Sequence, residues 1–164
     1  MAVEYDFQKV CAVSILVVQG PHRVAGGAAS QKALIESIAD RARSIGATVL
    51  SRTCSSIADI AECLGGSCPK DTEMVLLDSG DLDSVDLEIN SDELRGAIDA
   101  LRSPYIEVHD ASTQSLEPRL QLHHSPMVTL IINNNLKESY VLAMEIAANR
   151  LRRKAADCPQ LLQA

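Results

Sequence analysis

Positions 12–18 read Ala-Val-Ser-Ile-Leu-Val-Val, an apolar, β-branched run interrupted only by one small hydroxyl side chain. A strand with one wet face alternates apolar and polar residues, whereas an unbroken run marks a strand covered by helices on both faces, as in a parallel sheet. Shorter runs of the same kind recur at 48–52, 74–77, 105–109 and 128–132, and segments of helical period separate them. Strands alternating with helices imply right-handed crossovers between parallel strands. The pattern therefore predicts an α/β fold: one open, doubly wound sheet of five parallel strands in the order two-one-three-four-five, with 12–18 at its centre.

The connecting segments carry recognisable helix signals. The Gly-rich stretch 20–27 leads to Ser30 as an N-cap and to a helix that buries Leu34, Ile35, Ile38 and Ala42 before stopping at Gly46. Ser56 and Asp59 have capping-box spacing ahead of a helix over 57–64, closed by Gly65 and Gly66. Residues 78–90 read as a polar loop carrying Asp78, Asp81, Asp83, Asp86 and Glu88, with Asp92 just beyond, followed by a helix burying Leu94, Ala97, Ile98 and Leu101 and ended by Pro104. Residues 110–127 read as an irregular connection, long for a compact domain. A last helix over 136–154 places Val141, Met144, Ala148 and Leu151 on one face, with Arg150, Arg152, Arg153 and Lys154 as cations at its negative end. The first and last ten residues read as loosely held termini.

At 164 residues the chain is expected to be a single domain over 1–164, with its core between about 12 and 155. A net charge of −7 repels phosphate backbones, and three Tyr, one Phe and no Trp leave few stacking platforms, so nucleic acid is not an expected partner. No apolar stretch approaches the length of a membrane span. Cys11, Cys54, Cys63, Cys68 and Cys158 form an odd set without a C-x-x-C pair, which points to a reduced, cytoplasmic setting in which Cys63 and Cys68 pack as small apolar side chains. Adjacent His123 and His124 point apart and lack a spaced partner, so no metal site is expected; Gly20, Gly26 and Gly27 form no dinucleotide fingerprint, so no cofactor is expected either.

Doubly wound sheets bind ligands outside the carboxyl ends of their strands, which singles out 19–27, 78–84 and 107–125. Glu107 and His109 are two apart on one strand and share a face, an arrangement that suits acid–base work and equally suits two satisfied polar residues at a strand end.

Three segments, in order and each at its own strand, carry a resemblance. They are Ile15-Leu-Val-Val-Gln-Gly-Pro-His22, Ile106-Glu-Val-His109, and His124-Ser-Pro-Met-Val-Thr-Leu-Ile-Ile132 with the helix beyond Tyr140. Together they resemble the type II 3-dehydroquinate dehydratases, small flavodoxin-like three-layer proteins that assemble as dodecamers of trimers. The resemblance implies that His109 is the general acid for a departing hydroxyl, that Glu107 orients it, and that the backbone amides of Asp110 and Ala111, with Ser112 beside them, meet a substrate carboxylate. Gln19, His22, Asp78 and Ser84 stand where the family has two turn Asn, a substrate-binding Asn and a His, and Arg119 is the nearest candidate for the substrate-gripping Arg. The family's lid Tyr–Arg pair is missing: 23–30 reads Arg-Val-Ala-Gly-Gly-Ala-Ala-Ser, with no Tyr for an Arg to make acidic and no acid or base in its place.

Two readings follow. One is a lyase or other acid–base enzyme acting on a small cyclic or carboxylated compound through His109 and Glu107, with His22 or Asp78 as the second proton-transfer group and little dehydration of 3-dehydroquinate. The other is an inactive family member serving as a ligand-binding or assembly module. Both imply a small-molecule ligand, a trimer-based homo-oligomer and no cofactor.

Overall fold

The computed structural model describes residues 13–22, 27–66 and 68–157. Positions 23–26 of the shortened lid, Cys11, Cys158 and most of both expected loose termini lie outside the described residues. Five strands, β1 (Val13–Gln19), β2 (Ala47–Thr53), β3 (Thr72–Asp78), β4 (Tyr105–His109) and β5 (Val128–Ile131), pair in parallel in the order β2-β1-β3-β4-β5. Crossovers run through α1 (Gly27–Arg43), α2 (Ile57–Leu64), α3 (Ser84–Asp99) and α4 (Glu117–Leu120), and α5 (Leu136–Asp157) closes the chain. No helix among the described residues is long and apolar enough to cross a membrane.

The run 15–18 of β1 is apolar because it is packed on both sides, but β1 is not the centre of the sheet: in this order β3 is the middle strand and β1 lies between it and the edge strand β2. Ile15, Val17, Met74, Leu76, Ile106 and Val108 meet Ile38 and Ala42 of α1 and Tyr140, Ala143, Met144 and Ala147 of α5. Leu16, Val18, Val75, Leu77 and Tyr105 meet Ile57, Ile60 and Leu64 of α2 and Leu87, Leu94 and Ile98 of α3. Strand alternation then assigns the polar ends: Gln19 and Asp78 continue the α1/α5 face, Glu107 and His109 the α2/α3 face.

Several boundaries differ from the sequence reading for definite reasons. The first helix starts at Gly27, so Ser30 lies inside it rather than at its cap; the Ala28-Ala29 pair favours helix strongly enough to extend it. The supposed loop over 78–90 ends at Asp83, whose side chain accepts from the Val85 amide and caps α3. Asp86 and Glu88 therefore ride on a helix whose early turns expose Val85 and Ile89. The connection after β4 is not wholly irregular, since Ser112–Gln114 forms a 3-10 turn and Glu117–Leu120 one α turn. In α5 the buried stripe is Tyr140, Ala143, Met144, Ala147, Ala148 and Leu151, while Val141 is 45% exposed, one position off the packed face. That helix reaches Asp157, so Arg150, Arg152 and Arg153 sit short of its end, and Lys154 pairs with Glu73 at 2.8 Å. Ser56 caps α2 as read, its hydroxyl accepting from the Asp59 amide at 3.1 Å, while the Asp59 carboxylate returns to the Ser55 amide at 3.0 Å, one residue before the cap.

The carboxyl ends of β1 and β3 are locked by touching backbones. Gly20 donates to the Asp78 carbonyl at 2.6 Å and Asp81 donates to the Pro21 carbonyl at 2.7 Å. A Cβ on Gly20 would lie 2.1 Å from the Ser79 carbonyl oxygen, and one on Gly80, at φ +67°, would lie 2.2 Å from that of Pro21. Gly80→Ala is therefore expected to cost about 2–4 kcal/mol in urea unfolding. Gly96→Ala, inside α3 with open space around it, should stabilise by up to about 1 kcal/mol. Equal effects of the two would show that the turns do not touch.

Candidate active site

Asp78, the last residue of β3, is completely buried. Its Oδ1 accepts from the Gly80 amide at 3.0 Å, and its Oδ2 accepts from the Tyr140 hydroxyl at 2.8 Å and lies 2.8 Å from Nε2 of His22. A carboxylate only accepts, which assigns the proton to Nε2 and leaves Nδ1 as the basic nitrogen of His22. The hydrogen bond to Asp78 raises the His22 pKa above its ordinary 6.5; burial opposes the rise, and the charges of Asp78, Asp81 and Asp110 add to it. Burial, then the charge of Asp78 and the hydrogen bond to it, pushes the Tyr140 phenol well above its usual range, and the neighbouring Gln19 side chain works against that rise. Gln19 is itself buried, with its Nε2 left unpaired. These four residues come from β1, the turn after it, β3 and α5, and the glycine lock brings them together.

Glu107 and His109 are both completely buried at the end of β4. They are not hydrogen-bonded: Nε2 of His109 lies 3.7 Å from Oε1 of Glu107. The expected bond between a carboxylate and the imidazole it orients is thus replaced by proximity alone. Glu107 instead accepts from the Leu116 amide and the Thr129 hydroxyl, both at 3.2 Å, tying the segment after β4 to the β5 side. Neither ring nitrogen of His109 has a hydrogen-bond partner. A buried polar group left unpaired costs about 1–3 kcal/mol, and no partner among the described residues offsets that cost for His109.

The other residues singled out from sequence divide clearly. Asp110 and Ala111 follow His109 at the same edge, and Asp110 is near enough for its charge to act on His22. The Asp110 amide donates at 3.3 Å to Oε1 of Gln114, whose Nε2 donates to Asp81 at 2.7 Å. Ser112 is exposed in the 3-10 turn, Ser84 is exposed at the start of α3, and Arg119 is exposed on α4, its side chain without a hydrogen bond or ion pair among the described residues. None of these three joins the cluster. Tyr140, Gln114 and Thr129 were not singled out as site residues. Tyr140 had a signal, because a Tyr on a buried helical stripe needs a partner for its hydroxyl.

His123 and His124 serve a turn: both amides donate to Oδ1 of Asp99, at 2.8 and 2.9 Å. Among the described residues no three His, Cys, Asp or Glu side chains group as metal ligands. Cys63 and Cys68 pack against the α2/α3 core as expected, and burial, followed by a hydrogen bond to Cys63, pushes the Cys54 thiol up to about 12.

No protein-family model matches this sequence, and no curated protein matches it. Solved structures do. A type II dehydroquinase from Propionibacterium acnes superimposes with a TM-score of 0.60 at 21% identity, over 84% of this chain and 97% of that one. A 3-dehydroquinate dehydratase-like protein from Bifidobacterium longum superimposes with a TM-score of 0.53 at 17% identity, over 85% of this chain and 98% of that one. The chain thus has the flavodoxin-like α/β fold of these proteins over nearly their whole length.

Proposed function

We propose that this chain is a divergent dehydroquinase-like protein that performs acid–base chemistry on a small, polar, cyclic compound at the carboxyl edge of its sheet. The observation that carries this is the Tyr140–Asp78–His22 hydrogen-bonded line, which fixes an imidazole with a raised pKa and a free basic nitrogen beside the turn after β1. His22 is the base and Asp78 its orienter. His109, unpaired and beside Glu107, is the acid that protonates a leaving oxygen, and the nearby carboxylate stabilises the imidazolium. Gln19 and the Asp110 and Ala111 amides flank the ligand. The absence of Tyr from 23–30 leaves the proton next to a ketone to His22 alone.

A second reading, a ligand-binding module without turnover, is favoured by one observation: Gln19, Asp78, Glu107, His109 and Gln114 are all buried, so side chains fill the edge. Binding of a cyclic polyol that weakens in His109→Ala, with no turnover, would select it.

Purified protein is expected to dehydrate 3-dehydroquinate at least about 10²-fold more slowly than a typical enzyme turning over near 10 s⁻¹. Any residual rate should fall by about 10²-fold or more in His109→Ala and in His22→Ala, and should fall in Glu107→Gln. Vigorous wild-type turnover would overturn the assignment of the base, and unchanged rates in both His variants the whole site.

The His22 shift also fixes a pH dependence. Because its folded pKa lies above 6.5, its contribution to stability is complete below 6.5 and is lost as pH rises through the folded value. Urea midpoints should therefore fall between about pH 6 and 8, and His22→Gln should flatten that part of the profile. An identical slope in the variant would contradict the pairing with Asp78.

Assembly is the remaining element. An edge strand, β5, that is only partly covered and exposes Ile131 supports self-association, and the resemblance gives its form as a trimer or a multiple of trimers. Sedimentation velocity at micromolar concentration should show such a species; a stable monomer would refute it.

A further inference from the structure

A backbone amide at the end of a parallel strand faces the crevice in which doubly wound proteins hold their ligands. Here the amide following His109, that of Asp110, is already occupied, by Oε1 of Gln114 at 3.3 Å. Gln114 is only 7% exposed and is pinned from three sides. Its Nε2 donates to Oδ1 of Asp81 at 2.7 Å, its carbonyl accepts from the Ser79 hydroxyl at 3.3 Å, and its own amide donates to the Ala111 carbonyl at 3.2 Å. The carboxamide thus bridges one donor and one anionic acceptor between the ends of β3 and β4. Immediately before Asp110 stands His109, completely buried and with both ring nitrogens unpaired among the described residues, a pair of polar atoms that calls for a partner at the same edge.

Whatever group takes that bridging place must offer an acceptor to Asp110 and a donor to Asp81. A primary carboxamide offers both. A carboxylate offers two acceptors and sets its second oxygen against the Asp81 carboxylate, at a cost of well over tenfold in affinity. We propose that the position held by Gln114 is a carboxamide subsite of the site described above, filled by the protein's own side chain when empty, so that the ligand presents an uncharged donor–acceptor group there and not a carboxylate. This rests on the reading of that edge as a ligand site.

The test uses the full chain and two probes that differ only in this group, quinate and its primary amide. Gln114→Gly should bind the amide at least tenfold tighter than wild type while binding of quinate changes less than threefold, and adding Asp81→Asn should bring quinate to a comparable affinity. Equal gains for both probes, or none for the amide, overturn the proposal. A second measurement needs no ligand and no turnover: Gln114→Glu installs the carboxylate covalently and should lower Tm by about 3 °C or more, and Asp81→Asn in the same chain should restore it. A Gln114→Glu protein as stable as wild type refutes the subsite even where the catalytic assignments hold. Loss of turnover in the absence of these failures refutes only the acid–base reading.

Discussion

A carboxylate with no exposed surface, at the end of the middle strand β3 and with no Lys or Arg among its hydrogen-bond partners, organises this protein's working edge. Asp78 is tolerable there only because a backbone amide, a phenol and an imidazole converge on it. Each partner arrives through a separate part of the fold. The Gly80 amide requires the turn after β3 to pass against the turn after β1. Tyr140 requires α5 to lie across the sheet with its second turn within reach of the end of β3. His22 requires Pro21 to be held by the Asp81 amide. Shift any one and a buried charge loses part of its solvation, which is a stronger constraint on local geometry than apolar packing supplies.

The same arithmetic explains how a fold persists at 17–21% identity. Core positions require only that both faces of the sheet be apolar and filled, so Ile, Val, Leu and Met exchange among them at modest cost. The sheet edge has no such latitude. A change in one polar residue there must be answered by its neighbours, and Asp78, His22 and Tyr140 form one such linked set.

How much of this is legible in the sequence follows from the same distinction. The five strands, their order and the placing of Glu107 and His109 on the last turnings of β4 were readable, because a run buried on both faces leaves a pattern that no exposed element imitates. The start of α3 was not. Asp83, Asp86 and Glu88 look like loop composition, and only the geometry shows Asp83 capping a helix on which Glu88 is exposed while Asp86, half-buried, accepts from the Ile57 amide. Val141 failed for a different reason: next to Tyr140 it is the more apolar of the two, yet the phenol is the residue taken inside because Asp78 needs its hydroxyl. Gln114 lies in a stretch without period, where sequence cannot tell which side chain folds back onto the strand end.

The two imidazoles illustrate how one sheet edge divides acid from base. His22 stands on a carboxylate and gains proton affinity from it; His109, on the opposite face, has its neighbouring carboxylate committed to Leu116 and Thr129. Strand alternation is the origin of the difference. Asp78 and Glu107 end neighbouring strands near the same level, but their side chains leave the sheet on opposite sides, so one carboxylate meets the β1 turn and α5 while the other meets the connection to β5. A fold that presented both on one face would bring two like charges together and leave each histidine competing for them. Separating the pair across the sheet leaves Asp78 to hold His22 while Glu107 ties the connection after β4 to β5, and Gln114 bridges the ends of β3 and β4.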